Sequence, residues 1–187
     1  MKYYFVRANG DTGHNNPNAP EAYVPGEKPV FPETSFNYYS YCLRNNFVRI
    51  GWPGAGDIKA GNRHGALDSL YASKPLDSMH MGYLTEFASI DLGSIILMPN
   101  KDKPGDLYIG EVNSPYHYHH DIPRAPYECA HRLGVKWDTD KNGKPIIYNA
   151  KKLGISIDGG LWRKAFGCID GSDVIKLIDN QRQAMKH

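Results

Sequence analysis

Residues 105 to 137 read GDLYIGEVNSPYHYHHDIPRAPYECAHRLGVKW. The spacing predicts a strand from Leu107 to Val112, a polar turn at Asn113-Ser114-Pro115, and an aromatic–histidine run from Tyr116 to Asp121. A loop follows, then a second strand ending at Val135-Lys136-Trp137. Alternating apolar residues flanking turn residues are the hairpin signal of a small β-barrel. The run between the strands is unusual for a loop. Tyr116, His117, Tyr118, His119 and His120 supply flat rings and hydrogen-bonding edges, which suit the stacking and reading of a base.

Working outward, Tyr3 to Arg7 is a short apolar run and reads as a first strand. Residues 9 to 35 are rich in Asn, Gly and Pro, lack periodicity, and read as a long irregular arm. Phe36, Tyr39 and Leu43 share one face at helical spacing within 36–46. Phe47 to Trp52 is a strand that stops at Pro53, and GAGDIKAGNRHG (54–65) is a Gly-rich loop. A short helix is expected from Ala66 to Lys74. Met79, Tyr83, Leu84, Phe87 and Ile90 form a helical stripe over 79–90. Ile95 to Met98 is a buried strand, and Ile146 to Tyr148 is placed to pair back as a hairpin after the DTDKNGKP turn. Ser172 is a good N-cap for a helix over 173–185 with Val174, Ile175, Leu177 and Ile178 on its apolar side. Mostly strands, with helices in the middle and at the end, predict an α+β domain built on a barrel or strongly curved sheet.

A chain of 187 residues, 41% hydrophobic and 22% charged, is enough for one domain with a core. The formal net charge is only +2, but residues 141 to 187 hold nine Lys or Arg against four Asp or Glu. That local excess permits a phosphate-contacting face, or simply a solvated helix surface. Cys42, Cys129 and Cys168 show no CxxC pairing, which argues against a disulfide framework or a zinc knuckle and favours small buried side chains. No apolar run of membrane-spanning length and no secretory h-region is visible, so a soluble, cytoplasmic protein is expected. No GxSxG, GxGxxG or GxxxxGK[ST] pattern is present, so neither a serine nucleophile nor a nucleotide cofactor is implied.

Three stretches in order resemble a module attached to many bacterial restriction-system proteins. GDLYIGEV, PYHYHHD and HRLGVKW are similar to its YIGEV strand, its tyrosine turn and its HR..VKW strand. FVRIGWPGAGDI (47–58) resembles its IGW…GD segment, and LTEFASIDLGSIILMP (84–99) resembles its helix and following strand. The module belongs to the PUA-like superfamily, with EVE and YTH domains as relatives, several of which read modified nucleobases. The resemblance implies a single PUA-like domain over 1–187, a mixed β-barrel with flanking helices. It implies binding of nucleic acid, DNA rather than RNA, bearing a modified base in flipped or unpaired form, with no catalysis of its own; the nuclease that usually accompanies such a module is then a separate chain, or the sequence is a fragment of a larger nuclease. The Asn/Pro-rich segment 9–35 and the long stretch 138–160 depart from the module's pattern.

Carried over position by position, the resemblance points to Trp52, Asp57, Tyr116 and Tyr118 as the pocket, with His117 beside it. Stacking rings and a few polar groups are what an unpaired base requires. The plainer reading makes Trp52 and Tyr116 packing residues, and Trp137 a core residue. His117, His119 and Asp121 have metal-ligand chemistry, and His117 and His119 share a face of an extended strand. No second ligand pair at a known spacing accompanies them, so no metal is expected. The alternatives kept open are a small metal-dependent hydrolase or nuclease using the His117–Asp121 cluster, and a protein-interaction accessory domain. Asp106 and Glu111-Val112-Asn113 resemble a nuclease D…ExK motif, but Asn113 stands where the lysine belongs.

Overall fold

Alternation of apolar residues along the strands produces one curved sheet with a buried layer on each face. The computed structural model describes residues 1–8, 38–51, 57–59, 78–100, 103–119, 131–156 and 166–186. Their order is β1 (Tyr3–Val6), α1 (Tyr38–Arg44), β2 (Phe47–Ile50), α2 (Ser78–Ala88), β3 (Ile95–Pro99), β4 (Asp106–Tyr118), β5 (His131–Trp137), β6 (Tyr148–Asn149), a 3-10 turn (Ala150–Leu153), β7 (Phe166–Ile169) and α3 (Ser172–Lys186). The seven strands run β2-β5-β4-β3-β1-β7, with β6 paired to β4 beside this path. Among the described residues only the β1–β3 pair is parallel.

One face carries Tyr4, Val6, Ile96, Met98, Val112, Leu133, Val135 and Trp137, covered by Tyr39, Cys42, Leu84 and Phe87 from α1 and α2. The other carries Tyr3, Phe5, Ile95, Leu97, Leu107 and Ile109, covered by Leu153 and by Ile178 of α3. The sheet rolls around the first layer. β1 and β2 lie far apart in the strand order yet come into contact. The Arg49 Nε–H donates to the carbonyl oxygen of Ala8 at 2.6 Å across that approach. The architecture is mixed α+β, as expected, but the roll is not sealed into a barrel: among the described residues no strand ladder joins β2 to β1 or β7.

β4 departs from the expected hairpin. Asn113-Ser114-Pro115 forms no turn; the strand runs unbroken from Asp106 to Tyr118. Register shifts between Val112 and Ser114, and between Ser114 and His117, each insert an extra β4 residue against β5. Such bulges tolerate Pro because its missing N–H falls where the ladder is interrupted. Gly134 makes room for them: a Cβ there would lie 2.5 Å from the Ser114 Cβ. The two bulges together restore the alternation, so Val112, Tyr116 and Tyr118 all face the inner layer.

Other expectations need adjustment. Tyr148–Asn149 pairs with Asp106–Leu107 of β4 and not back on β5; only a Thr139–Pro145 bridge closes the turn between them. The Asp140 carboxylate accepts the Asn142 and Lys144 amides at 2.8 and 2.9 Å, which fixes that turn and holds Asp140 below the usual carboxylate range. Cys42 is buried, but Cys168 is exposed on the edge strand β7. The expected arm at 9–35, the 66–74 helix and Cys129 lie outside the described residues.

Candidate functional site

The far end of the β4–β5 pair gathers most of the candidates. Alternation points Tyr116 and Tyr118 inward and His117 outward. The two tyrosines do share a side, but that side is the core: Tyr116 is 7% exposed and Tyr118 4%. Opposite them His131 is fully buried, its ring 6.0 Å from that of Tyr116 and 5.0 Å from that of Tyr118. The Tyr116 hydroxyl lies 2.9 Å from His131 Nδ1 and accepts the Ile58 N–H at 3.4 Å. The hydroxyl oxygen has two lone pairs and one proton, so the His131 tautomer decides which of the two groups donates. Burial pushes the Tyr116 phenol well above its ordinary range, so it stays protonated.

Through Ile58 the segment Asp57–Lys59 is tied to this end. The Asp57 carboxylate accepts the Lys59 amide at 3.0 Å, and the Lys59 ammonium lies 5.9 Å from the Tyr116 ring centre. On the outer face, His117 is exposed and pairs in register with Arg132, whose guanidinium lies 4.5 Å from the Phe47 ring centre. His117 and His119 do project together, their rings 4.6 Å apart and nearly perpendicular. Thus Asp57, Tyr116, Tyr118 and His117 are brought to one end of the sheet. Trp52, His120 and Asp121 lie outside the described residues. Among the described residues no three His, Cys, Asp or Glu side chains are grouped to hold a metal ion. Trp137 is core, as expected.

A second polar centre was not foreseen. Beneath α3, Arg182 donates through Nε and Nη2 to the two oxygens of Asp138 at 2.7 and 3.0 Å, and the Tyr148 hydroxyl donates to the same carboxylate at 3.0 Å. All three are buried. Burial alone would lower the Arg182 pKa; the bonds and charge of Asp138 outweigh it and hold the guanidinium above its ordinary value. Burial and the Asp138 carboxylate both push the Tyr148 phenol up. A signal existed in the sequence: Val174, Ile178 and Arg182 fall at i, i+4 and i+8, so an arginine sits on the apolar stripe of α3 and needs a buried carboxylate. His131 had a similar signal, since it alternates with Leu133 and Val135 onto the inner face.

No helix among the described residues is long and apolar enough to cross a membrane. No curated protein matches the chain. A family model described as Domain of unknown function (DUF8426) matches residues 32–154. That stretch takes in the β4–β5 pair and Asp57–Lys59, and leaves out β1, β7 and α3. With well over half of its length matched, the chain belongs to the DUF8426 family.

Proposed function

We propose that the chain is a PUA-like nucleic-acid-binding module that takes up a modified base of DNA at the far end of the β4–β5 pair, without catalysis of its own. The observation that carries this reading is the Ile58 N–H bond to the Tyr116 hydroxyl. It joins two sequence regions, each of which points to base binding, into one edge. The inward roll of the sheet supports the PUA-like comparison.

Tyr116, Tyr118 and His131 are buried and form the floor of this edge, so they shape it and do not stack on a ligand. The stacking ring is assigned to Trp52. Asp57 supplies an acceptor for a base N–H, while Lys59, His117 and Arg132 face phosphate. Cleavage of the bound DNA falls to a separate nuclease chain. The test is a fluorescence titration of modified and unmodified DNA and RNA oligonucleotides at defined salt. A modified DNA oligonucleotide is expected to bind most tightly, and Trp52→Ala to weaken it by ~1–3 kcal/mol. Absence of binding to every oligonucleotide at low salt sinks the reading, as does cutting of plasmid by the protein alone with Mg²⁺ or Mn²⁺.

A further inference from the structure

We propose that the cleft where β4 and β5 meet α3 binds a small zwitterion of the free amino-acid class. The cleft has a volume of about 260 Å³ and is lined by Glu111, Lys136, Trp137, Asp138, Thr139 and Arg182. Its chemistry follows from which of these groups are already engaged. Asp138 and Arg182 neutralise each other in a two-pronged ion pair. Glu111 and Lys136 face each other in register across β4 and β5, and both are exposed. Neither makes an ion pair with a described residue. The lining therefore offers one available carboxylate and one available ammonium, and its formal charge sums to zero.

Hydrogen-bond donors are also left over. Arg182 Nη1 and the Thr139 hydroxyl make no hydrogen bond to a described residue. A ligand oxygen can accept from both. A carboxylate fits the donor group with Lys136, and an ammonium fits Glu111. Two other ligand classes fit worse. A phosphate dianion would meet a lining with no net positive charge. A nucleobase would need a ring to stack on, and Trp137, the one aromatic residue of the lining, is only 5% exposed. This inference stands apart from the nucleic-acid reading, since it uses none of the residues at the Tyr116 end.

The test is calorimetric titration of the intact chain with the twenty free L-amino acids, with tryptophan fluorescence recorded in parallel. At least one is expected to bind with a Kd below ~10 mM. Its N-acetyl and carboxamide derivatives, each lacking one charge, should bind about tenfold or more weakly. Glu111→Gln and Lys136→Met should each weaken the free amino acid by a similar factor, with unchanged circular dichroism because both side chains are exposed. The proposal is overturned if no free amino acid binds, if the capped derivatives bind equally well, or if both variants bind as wild type.

Discussion

Two regions of this sheet bury polar side chains, and they do so by different means. Under α3 the buried groups are charged: Asp138 and Arg182 form a two-pronged pair that Tyr148 completes. At the far end of β4–β5 no buried ion pair is formed: the Tyr116 hydroxyl sits between His131 Nδ1 and the Ile58 amide. A buried charge left without its partner is far more costly than a neutral hydrogen bond left unmade. The first region therefore locks an element in place, fixing α3 to the sheet. The second is a lighter link that sets where the Asp57–Lys59 segment lies against the strands. Strong fixation sits at the region that holds the fold together, and the lighter link at the edge to which we assign function.

The largest effect that tests this contrast is Arg182→Met. It leaves Asp138 charged and buried without its cation, and should destabilise the chain by about 3–5 kcal/mol in urea unfolding. Adding Asp138→Asn should recover part of the loss, because the stranded charge is removed with it. A loss for Arg182→Met no greater than that for Tyr116→Phe would erase the distinction between the two regions.

Tyr116→Phe comes next, at about 1–3 kcal/mol, since it removes one neutral hydroxyl and leaves His131 Nδ1 and the Ile58 amide without it. Its signature is local: limited proteolysis should cut near Asp57–Lys59 sooner, while α3 stays protected. The alkaline limb sharpens the contrast further. Burial raises the phenols of Tyr116 and Tyr148, and that of Tyr3 to about 12, above the ordinary 10.0. Above pH 10 the unfolded chain loses protons that the folded chain keeps. Stability present below pH 10 is thus lost as pH rises, at up to about 1.4 kcal/mol per pH unit for each tyrosine. Tyr116→Phe and Tyr148→Phe should each flatten the limb of stability against pH above 10. An unchanged slope in both variants contradicts the assigned burial.

Strong periodicity made much of the fold legible: β1, α1, α2, β3 and α3 lie close to where alternation and helical stripes put them. Asn113-Ser114-Pro115 misled because turn chemistry and bulge chemistry use the same residues. Only the partner strand decides between them, through the space that Gly134 leaves. That one difference changes the meaning of the site. In a loop, Tyr116 and Tyr118 would present open faces; in a bulged strand they become core, and the outward positions fall to His117 and Arg132. Tyr118→Ala is consequently a poor probe of binding, since truncating a core aromatic costs about 3–5 kcal/mol of stability. The Asp138–Arg182 pair was hidden because its members lie 44 residues apart and belong to different elements.

The smallest effect is the most specific to function. Lys59 is held close to the Tyr116 ring by the Asp57 carboxylate and the Ile58 amide, at the edge where we place the nucleic acid. If it meets one phosphate, Lys59→Ala should weaken binding to modified and unmodified oligonucleotides alike, because phosphate contacts carry no sequence information. Wild-type protein, with a formal net charge of only +2, should show a log–log salt slope of roughly −2 to −4 on duplex DNA. The variant's slope should be shallower by about 0.9, the share of one phosphate. Tyr116→Phe, which loosens the tie to Lys59 without removing its charge, should leave the slope unchanged while lowering affinity. A matching loss of slope in both variants would mean that the tie only keeps Lys59 near the DNA; a loss in neither would remove Asp57–Lys59 from the interface.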